Sequence, residues 1–301
     1  MLGDTRALKE GWYGLCYEPI KALKLQWVDT ITGELVTIMK ILKDATGDLD
    51  IYFNNYDSVE LINLPCQKCI ECLNDYSMEW SYRLMNECSC HKTSCVLTLT
   101  YEKTDGELNK RDLQLFLKRL RRRIEPTKIR YYACGEYGSK GLRPHFHIII
   151  FGWCPNDLVF LKKSSKGTIL FDSDFIRSVW NKGFISVGNV TLESCKYSAK
   201  YLQKLNQIEE KEIQPFVCMS LKPGIGYKYA LENSDEIIKE DKIYIEGHYK
   251  KTPRYYLKIY ERLGYDLKKL KETRKVRSVL FERSSIDNLK RKEKLLTKLG
   301  F

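Results

Sequence analysis

No apolar run in this chain approaches the roughly 20 residues that a membrane-spanning helix needs. The segment from Met1 to Glu10 carries charges and lacks the apolar core of a secretory signal, so the expectation is a chain that is not exported. Eleven cysteines without such a signal then argue for reduced thiols in a cytosol rather than for a disulfide framework. Acidic residues run short at one end. From Lys250 to Lys298 there are 17 Lys or Arg against 6 Asp or Glu, an excess of 11 that accounts for nearly all of the formal charge of +12. A polyanionic partner is implied, and nucleic acid is preferred over a membrane surface. At 301 residues and 43% hydrophobic, the chain can bury one large core, with or without appendages.

Histidine is also scarce, with four in the chain. Two of them, His145 and His147, precede Ile148, Ile149, Ile150 and Phe151, so in a strand both imidazoles leave one face while Phe146 points into a core. Upstream, Ile129 to Cys134 reads as a second strand, and Gly135 to Gly141 as the turn that folds the two into a hairpin. That pairing brings Glu136 beside the histidines. Two imidazoles and a carboxylate make a three-ligand set with open positions, suited to a divalent ion that also holds a phosphate oxygen. Downstream, Lys196 to Lys204 reads as a helix with Tyr197 and Tyr201 one turn apart on one face. A tyrosine hydroxyl has a pKa of about 10. Attack on a phosphoester therefore needs a metal at the phosphate or a cation at the phenolate, and Lys200 can supply the cation. Taken singly, the histidines read as half-buried strand residues and the tyrosines as packing. Their combination points to phosphoester chemistry.

Cys66, Cys69 and Cys72 follow a C-x-x-C-x-x-C spacing, with Cys88, Cys90, His91 and Cys95 beyond them. Two readings stand: a structural Zn²⁺ on the three thiolates with a fourth ligand from Cys88, Cys90 or His91, or free thiols at the head of a helix. Nothing else in the chain suggests redox chemistry, which weighs against iron-sulfur ligation. Before the cysteines, Leu35 to Ile41 and Leu49 to Phe53 read as strands, while Lys21 to Trp27 shows no clear period. After them, Asp75 to Cys88 reads as a helix and Thr93 to Tyr101 as a strand. Asn109 caps a helix with Leu113, Phe116, Leu117 and Leu120 on one side. Lys118, Arg119, Arg121, Arg122 and Arg123 gather at its end, where cations suit the helix dipole or DNA phosphates. A loop with Lys162, Lys163 and Lys166, a helix from Ser173 to Asn181 and a strand from Phe184 to Val190 lead into the tyrosine helix. Met219 to Gly226 reads as a turn whose backbone approaches DNA. The expected fold is α+β, a central antiparallel sheet with flanking helices at 93–230. A β-rich, Cys-rich lead-in at 1–92 precedes it, and a basic helical C-terminal tail at 231–301 follows and contacts DNA.

The segments Pro65 to Cys72, Leu97 to Tyr101, Cys134 to Gly138, Arg143 to His147, Tyr197 to Tyr201, Met219 to Gly226 and Pro253 to Tyr256 carry a resemblance. In kind and order they are similar to the HUH endonucleases that start rolling-circle replication. More narrowly, the chain resembles the replication initiators of gokushovirus-type microviruses. The resemblance implies the HUH endonuclease fold with the Thr93 to Tyr101 strand at the sheet centre, and Mg²⁺ or Mn²⁺ on Glu136, His145 and His147. It implies attack by Tyr197 or Tyr201 on phage origin DNA, single-stranded or extruded from the duplex. A 5′-phosphotyrosine link and a 3′-hydroxyl primer result, and the second tyrosine serves the later cleavage and rejoining. Host replication machinery such as polymerase and helicase would be the partners, in the cytoplasm of the bacterial host. A related transposase or relaxase is an alternative, against which the Cys66 triplet and the Gly224 region weigh. A non-enzymatic zinc-containing nucleic-acid-binding protein is another, and it leaves Glu136, the histidines and the tyrosines without a role.

Overall fold

Strands form where β-branched and aromatic residues alternate with residues that tolerate solvent, and helices where apolar residues recur at three and four. The computed structural model describes residues 16, 19–42, 50–103, 107–138, 142–164, 167–200, 213–274 and 276. The chain divides into two units, 1–75 with 268–301, and 76–267. In the first, β1 (Ile20–Val28), β2 (Leu35–Ile41) and β3 (Ser58–Leu64) form an antiparallel sheet in the order β2-β1-β3, and a short helix α1 (Asp50–Asn55) precedes β3. Lys21 to Trp27, which shows no clear period, is the central strand of this sheet. Its Ala22, Leu23 and Leu25 are buried, while Lys24 reaches across to Glu60 at 3.2 Å. Leu49 to Phe53, expected as a strand, falls instead in α1. That stretch opens on Asp50 and closes on Asn54 and Asn55, residue types that favour helix ends over strands.

Helix α2 (Ile70–Ser89) starts in the first unit and continues into the second. There a seven-stranded antiparallel sheet is built from β4 (Ser94–Tyr101), β5 (Arg130–Tyr137), β6 (Pro144–Phe151), β7 (Val159–Lys163), β8 (Ile169–Asp172), β9 (Gly183–Gly188) and β10 (Phe216–Met219). Its order is β10-β5-β6-β4-β9-β8-β7, so β4 lies at the centre, as expected. The α+β architecture with a large antiparallel sheet is therefore present. The lysine-bearing loop is a correction. Lys162 and Lys163 belong to β7, paired with β8 at the sheet edge, and Val159, Phe160 and Leu161 were its strand signal.

One sheet face carries Leu97, Leu99, Ala133, Phe146, Ile148, Ile150, Ile185 and Val187. They pack against Leu113, Phe116, Leu117 and Leu120 of α3 (Lys110–Arg123) and Ile176, Val179 and Trp180 of α4 (Asp174–Trp180). Both helices start at side-chain caps, Asn109 accepting from the Arg111 amide at 2.9 Å and Ser173 from the Ile176 amide at 3.1 Å. Two of the α3 cations tie the helices together, Arg119 donating to the Trp180 carbonyl at 3.3 Å and Arg123 to the Ser178 hydroxyl at 2.5 Å. The opposite face carries Tyr132, Ile149 and Phe151, in a cluster with Leu84 of α2, Cys195 of α5 (Leu192–Lys200) and Ile225.

After β10 come α6 (Tyr227–Glu232), α7 (Ser234–Glu240), the hairpin β11 (Lys242–Ile245) and β12 (His248–Lys251), and α8 (Arg254–Arg262). The tail is helical through α8, breaks at Gly264 with φ +79°, and is helical again at 268–274. Most of the basic stretch beyond lies outside the described residues. Among the described residues, no helix is long and apolar enough to cross a membrane.

Gly183 leads α4 into β9 at φ +147°, and a Cβ there would overlap the Glu102 amide and the Thr100 carbonyl and come within 2.8 Å of the Tyr101 carbonyl carbon. All three neighbours are backbone of the central strand or its exit, so none can swing aside. Gly183→Ala is expected to destabilise the second unit by about 3 kcal/mol, read as a lower urea midpoint. An unchanged midpoint would contradict this packing.

Candidate active site

Register assembles the site. β5 meets β6 with Glu136 opposite His145 and Cys134 opposite His147, and β4 meets β6 with Thr100 opposite His145 and Thr98 opposite His147. Because strand side chains alternate with a period of two, all six side chains share one face. Glu136 belongs to the strand itself rather than to the turn in which the sequence suggested it. β5 continues to Tyr137, and the Gly138 amide closes the hairpin on the Arg143 carbonyl at 3.0 Å.

On this face three groups converge on one carboxylate oxygen, Glu136 Oε1. His145 Nε2 lies 2.6 Å from it, His147 Nε2 2.8 Å, and the Tyr197 hydroxyl donates from 3.3 Å. The two imidazoles stand edge to face with centroids 4.9 Å apart, and His147 meets the Tyr197 ring the same way at 5.0 Å. Glu136 is only 4% exposed, whereas Tyr197 is 44% exposed, so the cluster opens to solvent on the tyrosine side. Burial pushes the Glu136 carboxyl up, but the hydrogen bonds and charges of the two imidazoles outweigh it and hold it below the ordinary range. At His145 burial is overcome by Glu136 and the Arg143 carbonyl, so its pKa rises. At the more enclosed His147 burial prevails and its pKa falls.

Tyr197 is presented by α5, whose first turn is fixed from two sides. Thr191 and Ser194 cap each other reciprocally, the Ser194 amide donating to Thr191 Oγ1 at 3.2 Å and the Thr191 amide to Ser194 Oγ at 2.9 Å. The Leu192 amide donates to Glu246 at the β11–β12 turn, 2.9 Å away. Cys195, Ser198 and Ala199 are buried, which leaves Tyr197 at the helix edge facing Glu136. Lys200 closes the helix as an exposed side chain, and Tyr201 lies outside the described residues.

The donor set fits a divalent cation. The Arg143 carbonyl can only accept, so His145 Nδ1, 3.1 Å away, carries a proton and its Nε2 is aimed at Glu136. His147 Nδ1 is held at 3.1 Å by Thr98 Oγ1. Such outer partners fix imidazole orientation in metal centres. Sequence reading missed both. Thr98 was findable, because strand alternation places it beside the histidines.

The cysteine triplet also comes together, and its fourth member corrects the expectation. Cys16 joins Cys66, Cys69 and Cys72. The alternatives are engaged in the second unit, His91 with Glu87 at 3.2 Å and Cys90 with the Asn86 carbonyl at 3.3 Å.

Comparison with known proteins bears on this constellation. A family model for the replication-associated protein ORF2 matches residues 94–206, the stretch that contains β4, the Glu-His-His face and α5. The replication-associated protein ORF2 of Spiroplasma virus 4 is 32% identical over 267 residues, 81% of this chain and 83% of its own length. The chain belongs to the replication-associated protein family of microviruses. Its similarity to VP4 of Bdellovibrio phage phiMH2K is 29% over 81% of the chain and 84% of that protein, and to ORF4 of Chlamydia phage 1 it is 28% over 73% and 58%. No solved structure matches the chain significantly.

If Glu136, His145 and His147 hold a divalent ion, Mn²⁺ at about 100 times its dissociation constant stabilises the folded protein by about 2.7 kcal/mol. A rise in Tm of several degrees is expected in a melt, abolished in Glu136→Gln and in His147→Ala. An equal rise in these variants would remove the metal from this site.

Proposed function

We propose that this microviral replication-associated protein initiates rolling-circle replication by cutting origin DNA with a tyrosine, on an HUH endonuclease core. The observation that carries the reading is the convergence of Tyr197 and two imidazoles on the single oxygen Glu136 Oε1. A phenol with a pKa near 10 is a weak nucleophile, and its neighbours here answer that weakness. Glu136 accepts the hydrogen bond of the hydroxyl and so orients its lone pairs. The Lys200 ammonium, at the solvent end of α5, favours the phenolate when DNA covers the site. Mg²⁺ or Mn²⁺ held by Glu136, His145 and His147 would polarise the scissile phosphate.

The tyrosine oxygen bonds to phosphorus, the phosphorus–O3′ bond breaks, and the departing oxygen leaves as a 3′-hydroxyl. The phosphodiester energy is kept in the 5′-phosphotyrosine link, so resealing requires no nucleotide triphosphate. A second tyrosine one turn on, Tyr201, can cleave the regenerated origin while the first end is held, and the displaced strand is then joined into a circle. Half-exposed Tyr197 beside buried Glu136 favours a single-stranded or extruded substrate, whose phosphate can descend to the sheet. The 3′-hydroxyl would be extended by the host polymerase with a helicase opening the duplex, in the cytoplasm of the bacterial host.

The test is incubation of the protein with single-stranded origin DNA and Mn²⁺, followed by a denaturing gel. Wild type is expected to give a covalent adduct that maps to Tyr197 or Tyr201. The double variant Tyr197→Phe with Tyr201→Phe should lose it by about 1000-fold or more while still binding DNA. An adduct that persists in the double variant would refute the nucleophile assignment, and a wild type that binds DNA but forms none would refute the nicking reading.

A further inference from the structure

A second set of metal-ligating side chains lies in the first unit, and sheet register explains how it assembles. β1 and β3 pair with Ile20 opposite Leu64. Continued outward by four residues, that antiparallel register brings position 16 level with position 68. Cys16 thereby meets the loop that carries Cys66 and Cys69. One sulfur from each of Cys16, Cys66, Cys69 and Cys72 lies within 4.8 Å of the others, with Cys16 and Cys69 Sγ 4.0 Å apart. A disulfide needs sulfurs about 2.05 Å apart. Four sulfurs at about 2.3 Å from a tetrahedral zinc are about 3.8 Å from one another. The observed spacing matches the second geometry.

The backbone around Cys66 is arranged for thiolates. The Lys68 and Cys69 amides donate to Cys66 Sγ at 3.4 and 3.2 Å, and the Cys66 amide donates to Cys16 Sγ at 3.2 Å. Gln67, at φ +60°, turns the chain back so that these amides face the sulfur. Cys69 immediately precedes α2 and Cys72 sits in its first turn, where the helix dipole favours negative charge. Four thiolates this close repel one another unless a cation lies among them, and soft sulfur ligands select zinc over the hard ions suited to Glu136. All four are free cysteines.

We infer that Cys16, Cys66, Cys69 and Cys72 form a closed tetrathiolate zinc site. With four protein ligands it has no open position for chemistry, so its role is structural. It fastens the chain before β1 to the loop after β3 and to the head of α2, at the end of a three-stranded sheet too small to be firm alone. This inference stands apart from the nicking reading, since no residue is shared.

The experiment counts metal-protected thiols in the full-length protein and uses no DNA. In wild type, four of the eleven thiols are expected to react with a disulfide reagent only after a strong chelator is added. Replacement of the metal by Co²⁺ should give the intense visible bands of tetrahedral cobalt with sulfur-to-cobalt charge transfer. Cys16→Ser should lower metal affinity by about 100-fold or more. Should Cys16→Ser fail to fold, Cys16→His keeps a zinc ligand and is expected to hold metal with three protected thiols and a three-sulfur cobalt spectrum. Absence of thiol protection in wild type, iron-sulfur absorption in the purified protein, or a four-sulfur cobalt spectrum in Cys16→His would each overturn the site.

Discussion

The register in which β5 meets β6 controls whether this chain has a reactive face at all. With side chains alternating every residue, a slip of one would carry both imidazoles from the Glu136 side into the apolar layer beneath α3 and α4. Charged imidazoles and a carboxylate cannot be accommodated there at reasonable cost. The register is fixed largely from that opposite layer. Phe146, between the two histidines, is fully buried among the rings of Tyr101, Trp180 and Phe216, with centroids 5.9, 5.8 and 6.1 Å away. Across from it Gly135 admits the Phe216 ring, and a Cβ there would lie 2.9 Å from ring atoms. The apolar side of the strand thus positions the polar side.

Glu136 presents the complementary electrostatic problem. A carboxylate removed from water costs several kcal/mol unless donors replace its hydration. Two imidazoles supply them, but two imidazolium ions 4.9 Å apart between centroids would repel. The opposite pKa shifts express the compromise, with the proton favoured on His145 and disfavoured on the more enclosed His147. A divalent ion would satisfy all three groups together without placing two protons in one pocket. The same donors that stabilise the buried carboxylate therefore make the site receptive to a metal.

Legibility in the sequence followed periodicity and separation. The β5–β6 hairpin was readable because isoleucine-rich alternation and a glycine-rich turn are local signals, and α3 because its Asn109 cap and apolar stripe lie within four turns. The tyrosine helix was readable as a helix, yet that Tyr197 reaches Glu136, 61 residues upstream, depends on sheet order and on capping by Thr191 and Glu246. β1 escaped notice because lysines and a glutamine interrupt its pattern, and they are tolerated since they pair across the sheet or reach solvent. Cys16 could not be joined to the triplet by spacing. The 50 residues between it and Cys66 are bridged only by the β1–β3 pairing.

The distant segments Met219 to Gly226 and Pro253 to Tyr256, which sequence reading set beside the DNA, are brought together by α2. Arg83 lies between the Trp80 and Tyr255 rings, 3.9 and 3.8 Å from their centroids, and donates to the Ile225 carbonyl at 3.2 and 3.1 Å. Glu87, almost fully buried, takes the Gly226 amide at 2.7 Å and Arg130 of β5 at 2.6 Å, and Arg130 also donates to the Pro223 carbonyl at 2.7 Å. Glu79 accepts from Arg254 and from the Tyr255 amide, and Asn86 donates to the Tyr256 hydroxyl at 2.8 Å. The close approach that Gly224 and Gly226 permit is occupied by the hydroxyls of Tyr255 and Tyr256. The backbone groups of this turn are thus largely spent on α2 and β5, and Ile225 between the glycines packs with Leu84, Ile149 and Cys195. Since Cys195 lies two residues before Tyr197, the turn acts on the nucleophile's position through the packing beneath α5.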